Sequence, residues 1–398
     1  MSTIMGIDVS KKTMNVAVLT ETSTIMEDKY SLDLLGLNEI RNLYERYQAE
    51  VIVFEATGVY SRRLEAYIVQ NGLRYHLLNP LVAKKRLDDG SRLRKNDQRD
   101  ALGLARTETR LEAAGFTQPK VPVYIELADM SRFYEQLNED KKRVKNRIHR
   151  VMQLTFATFT DEFDLDTPGS LAILKHYPNS ELLRNKDLTE IEDELRSWHL
   201  RGMGEIRVKN YAKKLFKVAS RNQAAVRAGS HNDYQLTYQI KQLQQLMQEQ
   251  QELIQRMSEV AEKLPEKRLL QSLPGIGEST AVRLIGELGD LRRFDTSQQI
   301  NSYIGIDLTL VDSGDSLSAR HITKHGNPYA RRILYWTIVN QVNSTASDNH
   351  IRDLYDKKRQ SSSSKKKLIV CLMDHLLRTI FHLIKTNQTY SYEIAVSR

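Results

Sequence analysis

Hydrophobic positions at the start of the chain fall in two runs, Ile4–Ile7 and Met14–Leu19, either side of the turn-like Ser10-Lys11-Lys12-Thr13. This pattern predicts a β-hairpin. Leu34–Tyr47 is amphipathic at the helical period, and Val51-Ile52-Val53-Phe54 is a short, wholly apolar run, as in a buried strand. Thr57-Gly58 breaks that run. Val59–Asn71 then reads as a helix and Arg74–Leu78 as a further strand, stopped by Asn79-Pro80. Basic helical sequence follows, ending near Ala114-Gly115. A hairpin followed by alternating strand and helix predicts a mixed sheet with helices on its faces.

From Pro122 the strand signals fade. Leu127–Thr158 reads as a basic helix with Lys141, Lys142, Arg143, Lys145, Arg147 and Arg150 close together, and residues 160–235 read as helices with loops. Ile240, Leu243, Met247, Gln250, Ile254, Met257, Ala261 and Leu264 then alternate spacings of three and four. This heptad pattern predicts a long helix that pairs, within the chain or with a second copy. Leu264-Pro265 ends it. The remainder is mostly helical, with Ser361–Ser364 and Lys365–Lys367 as a flexible basic loop before the apolar helix Leu368–Ile384. Three domains are expected: 1–120, 121–265 and 266–398.

Composition narrows the class. The 398 residues are 27% charged and 40% hydrophobic, as in an ordinary globular protein. No apolar run approaches the roughly 18–20 residues of a membrane span, and no signal peptide is evident, so a cytoplasmic location without membrane partners is expected. The one cysteine, Cys371, excludes an internal disulfide and a cysteine-based zinc site. Lys and Arg outnumber Asp and Glu 59 to 50, a net charge of +9 that suits a polyanionic partner.

Carboxylates stand where packing alone would not ask for them. Asp8 ends the first apolar run, Glu55 ends Val51–Phe54, and Asp97 and Asp100 lie in Lys95-Asn96-Asp97-Gln98-Arg99-Asp100-Ala101. Spacing three puts the last two on one helix face. Each acid alone has an ordinary explanation, as a turn cap or a solvated helix face. Together, acids at strand ends plus a helical pair could converge, and such a cluster would repel itself unless cations joined it. Mg²⁺ (or Mn²⁺), hard and oxygen-ligated, suits phosphate chemistry, and two ions about 3.5–4 Å apart could stabilise the attacking and leaving oxygens of a phosphodiester. Sugar kinases of the actin-like fold also open with a Gly-Ile-Asp strand. Here Val9-Ser10-Lys11 follows without glycine, and no later glycine-rich phosphate loop appears.

Two motifs lie further on. Leu273-Pro274-Gly275-Ile276-Gly277 before the helical run Ser279–Leu288 resembles the hairpin of helix-hairpin-helix DNA-binding proteins. Gly275 and Gly277 would let backbone N–H groups approach a phosphate; a tight turn without ligand explains them equally well. Leu310-Val311-Asp312-Ser313-Gly314-Asp315-Ser316 precedes Arg320-His321-Ile322-Thr323-Lys324-His325-Gly326-Asn327 and then Arg331-Arg332. Lys324, Arg331 and Arg332, with Lys141, Lys142 and Arg143, are candidate phosphate contacts.

As an ordered set, G-I-D-V-S-K, E-A-T-G-V-Y, N-P, K-N-D-Q-R-D-A, L-P-G-I-G, the S-G pair and I-T-K-H-G-N followed by R-R resemble the DEDD transposases of bacterial insertion sequences, also called bridge-RNA-guided recombinases. The resemblance covers most of the chain. It implies an α/β RNase H-like (RuvC-like) N-terminal domain with Asp8, Glu55, Asp97 and Asp100 as metal-holding acids. A coiled-coil region and a mainly α C-terminal transposase domain would follow, with Ser313 as nucleophile. Ser316 and Ser318 stand close enough to compete for that role. It further implies donor and target DNA, a structured guide RNA, a tetramer built as a dimer of dimers, and a DNA-associated bacterial location. A metal-dependent nuclease or Holliday-junction resolvase without covalent intermediate, and a non-catalytic nucleic-acid-binding protein, are the competing readings.

Overall fold

The computed structural model describes residues 3–20, 23–78, 97–106, 117, 119–199, 202–309, 312–313, 316–317, 321–345, 348–360 and 364–396; for 97–100, 308–309, 312–313, 316–317 and 321 the description is of the backbone. The chain divides into two compact units, Met1–Val121 and Pro122–Arg398.

The first unit is built on five strands: β1 (Ile4–Val9), β2 (Thr13–Leu19), β3 (Thr24–Ser31), β4 (Val51–Glu55) and β5 (Tyr75–Leu78). Their order is β3-β2-β1-β4-β5, with β1–β2 and β2–β3 antiparallel and β1–β4 and β4–β5 parallel. The expected hairpin and mixed sheet are present. The central strands are mostly apolar because both faces are covered, with Asp8, Asn15 and Glu55 among the polar exceptions at one end. On one face Met5, Ile7, Met14, Val16, Ile52 and Phe54 meet Leu37, Ile40 and Leu43 of α1 (Leu34–Arg46) and Leu64 and Ile68 of α2 (Ser61–Gln70). On the other, Ile4, Ala17, Leu19, Val51 and Val53 meet Ala101, Leu104 and Ala105 of α3 (Asp97–Arg106). Asp33 caps α1, its carboxylate accepting from Gly36 N–H at 3.0 Å. Strand β3 escaped the sequence pattern. It is the sheet's edge, Thr-Ile-Met-Glu-Asp-Lys-Tyr-Ser, exposed along most of its length, so it carries little apolar alternation.

The second unit opens with α4 (Pro122–Thr155) and continues through α5 (Pro168–His176), α6 (Leu188–Ser197) and α7 (Glu205–Arg221) to α8 (His231–Val260). The heptad helix α8 pairs within the chain, running against α4. Ile240, Leu243, Met257 and Ala261 are fully buried, and Gln250 is buried too, with its Nε2 lacking a partner among the described residues. Residues 160–235 are more ordered than the sequence suggests. Helices α5–α7 and two 3₁₀ turns close over α4 and α8 with Phe156, Phe159 and Phe163 inside, the last two rings stacked at 4.6 Å. Asp187 and Glu190 form a reciprocal capping box at the start of α6.

A separate core of the same unit gathers α9 (Pro265–Gln271), α10 (Glu278–Leu288), α11 (Ser297–Ile304), α12 (Pro328–Asn343), α13 (His350–Arg359) and α14 (Lys365–Thr386). The short α15 (Tyr392–Val396) follows. Lys365–Lys367 belong to the first turn of α14, with Ser364 at its N-cap, and so are helical rather than loop; 361–363 lie outside the described residues.

Buried charge ties α4 to α10 and α12. The Glu135 carboxylate, nearly inaccessible, accepts from Arg283 and, at 2.9 Å, from Arg332. The Arg283 guanidinium also lies 4.2 Å from the Tyr134 ring centroid. Removing one partner of a buried pair strands the other charge. Glu135→Ala is therefore expected to lower unfolding free energy by about 3–5 kcal/mol in a denaturant titration; a loss below about 1 kcal/mol would show the network to be dispensable.

Candidate active site

Two of the acids stand side by side. On the parallel pair β1–β4, Ile7 lies opposite Phe54, so Asp8 and Glu55 are the next residues at the carboxyl ends of neighbouring strands. Adjacent strands are about 4.8 Å apart, within reach of one shared cation. Side chains alternate between faces. Ile4 on β1 and Val51 and Val53 on β4 belong to the core under α3, which puts Asp8 and Glu55 on that same face. Both are partly buried. The strand ends are tied together: Thr57 Oγ1 donates to Val9 O at 3.3 Å, and Ala56 N–H donates to Leu78 O at 3.0 Å.

Helix α3 rests on this face at contact distance. A Cβ on Gly6 would fall 2.1 Å from Ala101 O and 2.7 Å from Ala105 N, so only glycine leaves room for the helix backbone. Gly6 is two residues before Asp8, on the same face. Asp97 stands one helical turn before Ala101, and Asp100 one turn before Leu104. Both thus hold register positions that continue the buried stripe Ala101, Leu104, Ala105. Their side chains lie outside the described residues. Among the described residues no group of three or more His, Cys, Asp or Glu could hold a metal ion, but that set includes only two of the four acids.

The same transverse row of the sheet continues outward from Asp8. Asn15 on β2 is opposite Asp8, and Lys29 on β3 is opposite Asn15. The row therefore reads Lys29, Asn15, Asp8, Glu55, Leu78. Asn15 is only 4% exposed, and its Nδ2 has no hydrogen-bond partner among the described residues. A buried donor without an acceptor costs about 1–3 kcal/mol. The donor set fits a hard divalent cation: carboxylate oxygens on rigid strand ends, with an amide donor beside one of them. Sequence reading missed Asn15; the signal was a lone amide inside Met14-Asn15-Val16-Ala17-Val18, a run otherwise apolar on both faces.

The serine segment is carried on a clamped stem in the second unit. Gly305, at φ +74°, ends α11; a Cβ there would meet the His325 backbone at 2.9 Å. Across this crossing Lys324 N–H donates to Gly305 O at 3.0 Å, Thr323 N–H to Asp307 O at 2.8 Å and Asn327 N–H to Tyr303 O at 2.9 Å. Strands β6 (Leu308–Thr309) and β9 (His321–Ile322) extend the stem. Beyond it β7 (Asp312–Ser313) pairs with β8 (Ser316–Leu317), Ser313 opposite Ser316, with Gly314 and Asp315 between. Ser318 lies outside the described residues. Asn327 anchors the stem's return: its Oδ1 accepts from Tyr329 N–H at 2.9 Å and Ala330 N–H at 3.1 Å, and its Nδ2 donates to Glu287 Oε2 at 2.8 Å. Burial pushes the Glu287 carboxyl above the usual carboxylate range.

The candidate phosphate contacts differ in what else they do. Gly275, at φ +76°, and Gly277 form the α9–α10 turn, held by Gln341 Nε2, which donates to Pro274 O at 2.6 Å. Gly277 is the N-cap of α10 and has no side-chain cap, while Glu278 brings a carboxylate into the first turn. Arg331 Nη1 donates to Ile304 O at 2.6 Å and Arg332 pairs with Glu135, so both guanidiniums have partners inside the fold. Lys324 is exposed at φ +55°. On α4, Arg143 pairs with Asp140 at 3.1 Å, Lys142 is exposed, and burial holds Lys141 below the ordinary lysine range.

Comparison with known proteins adds what geometry alone does not. Residues 5–157 match the DEDD transposase model of IS110, and residues 267–356 match the transposase model of the IS116/IS110/IS902 family. The chain is 25% identical over 135 residues to the insertion element IS110 uncharacterized 43.6 kDa protein of Streptomyces coelicolor, a match spanning 34% of this chain and only 33% of that protein. It is 21% identical over 408 residues to the mini-circle putative transposase for IS117 of the same organism, covering 98% and 95% of the two chains. T. thermophilus RuvC in complex with a Holliday junction substrate aligns at a TM-score of 0.24 and 12% identity, over 29% of this chain and 100% of that one. No helix among the described residues is long and apolar enough to cross a membrane. With its acid-bearing N-terminal part and its serine-bearing C-terminal part matched by the two transposase models, the chain belongs to the IS110 family of DEDD transposases.

Proposed function

We propose that this chain is an RNA-guided DNA recombinase that joins the ends of an insertion sequence to target DNA by strand exchange. The observation that carries this reading is the placement of Asp8 and Glu55 at adjacent strand ends, on the sheet face that receives the helix beginning Asp97–Asp100. Asp8, Glu55, Asp97 and Asp100 hold Mg²⁺ or Mn²⁺, which when bound supplies charge stabilisation at the phosphate. Ser313 Oγ attacks phosphorus. A serine–phosphate ester forms as the bond to the leaving sugar oxygen breaks, and that oxygen takes up the proton. The ester keeps the phosphodiester's bond energy for rejoining to the second DNA.

The finer parts of the reading rest on the family resemblance. A structured RNA pairs with donor and target. Four copies assemble as a dimer of dimers, with acids from one copy completing the serine site of another. Residues 121–265 and 266–398 act as coiled-coil region and transposase domain; one core of the second unit lies wholly within the first stretch, while the other joins the second stretch to the ends of α4 and α8. Lys141, Lys142, Arg143, Lys324 and the Gly275–Gly277 turn lie along the nucleic acid, and the complex works on DNA in the bacterial cytoplasm.

The test is recombination by protein purified with the RNA it retains. Joined product is expected to require Mg²⁺ and DNA matching that RNA. Asp8→Asn should reduce it by about 10³-fold or more, equivalent to the several kcal/mol that a metal-held charge contributes. Undiminished activity of Asp8→Asn would favour the non-catalytic reading. Product formed without the RNA would remove the guide.

A further inference from the structure

We infer that Asn15 is a positioning residue for Asp8, its amide reserved as the donor that fixes the Asp8 carboxylate around the divalent cation. This rests on the reading of Asp8 as a metal ligand given above. Three observations lead to it. Asn15 is paired directly with Asp8 across β1–β2, and opposed residues of an antiparallel pair have Cβ atoms about 4.5–5.5 Å apart on one face. Asn15 is 4% exposed, and its Nδ2 meets no acceptor among the described residues. Its surroundings on that face are those of an apolar residue: Ala17, two positions along β2, is fully buried under α3.

A leucine or valine would pack this position without any unmet polar group. An amide there makes sense if an acceptor arrives. Of its two lateral neighbours, Lys29 offers only donors, whereas Asp8 offers carboxylate oxygens. A cation takes one side of that carboxylate and leaves an oxygen lone pair to be oriented by a neighbouring donor. Such support commonly changes metal affinity by about 10- to 100-fold. Buried at 4% exposure and paired with Asp8, Asn15 acts through that carboxylate.

The experiment measures Mn²⁺ binding to the full chain by electron paramagnetic resonance, with melting temperature recorded on the same samples. Asn15→Leu removes the donor and fills the space; Asn15→Val, a good strand former, serves if leucine overfills it. The expected result is Mn²⁺ affinity weakened by about 10- to 100-fold with melting temperature unchanged or raised. Wild-type affinity in both variants, or a loss that only tracks a fall in melting temperature, would overturn the assignment. Asp8→Asn separates the two readings. If it loses Mn²⁺ binding and the Asn15 variants do not, only the role of Asn15 falls. If it binds Mn²⁺ as wild type does, the metal site falls and Asn15 with it.

Discussion

Ser313→Ala is expected to abolish the covalent protein–DNA adduct formed in Mg²⁺, while DNA binding and folding persist. Loss of a serine nucleophile costs on the order of 10⁶-fold in the serine enzymes where it has been dissected. Little structural cost should accompany it. Ser313 sits in a two-residue strand beyond the stem, and the stem is fixed by backbone bonds at Gly305, Asp307 and Tyr303 that the substitution leaves alone. Denaturing electrophoresis of labelled DNA, followed by mass spectrometry of the linked peptide, reads the result. The same assay decides among the neighbours, because Ser316 is paired directly with Ser313 across β7–β8. Adducts lost in Ser316→Ala but kept in Ser313→Ala would move the nucleophile to the facing strand. Cleavage without any adduct, unchanged in Ser313→Ala, would fit a water-using resolvase and end the serine mechanism.

What the sequence made legible follows from local chemistry. Asp8 and Glu55 were visible because each interrupts an apolar run, and the hairpin and heptads because period two and period three-four survive in a single string. What escaped depends on partners far along the chain. The heptads predict a pairing helix without saying which; α4, about a hundred residues earlier, is the answer. Arg332 reads as one of a basic pair, yet its partner Glu135 lies 197 positions away. β3 is an edge strand whose stability comes from pairing with β2 rather than from buried side chains. Asn15 looks like one polar residue in a strand until register sets it against Asp8. Register, which no single strand encodes, is what turns separate acids into one row.

Gly6→Ala tests that row through its scaffold. The new Cβ would lie 2.1 Å from Ala101 O, 2.7 Å from Ala105 N and 2.9 Å from Ala105 Cβ. Two of these are backbone atoms of α3, so no rotamer change relieves the clash. Either the helix moves off the sheet or the sheet buckles, and overpacking of this kind costs about 1–3 kcal/mol. The same displacement shifts the helix that begins Asp97–Asp100 against the strands ending in Asp8 and Glu55; if the four acids share a metal site as proposed, a shift of about 1 Å at the reacting centre costs about 10²-fold in rate. Strand exchange is therefore expected to fall by about 10²-fold or more with only a modest drop in melting temperature. Gly72→Ala is the control. Gly72 has φ +65°, and a Cβ there would find nothing within 4 Å, so the substitution meets backbone strain of about 1–2 kcal/mol but no neighbour. A comparable loss of stability without loss of strand exchange in Gly72→Ala, beside a large loss in Gly6→Ala, would locate the effect in the approach of α3 to β1. Gly6→Ala recombining within about twofold of wild type, against the expected 10²-fold loss, would mean that the helix carrying Asp97 and Asp100 does not need this contact to serve the site.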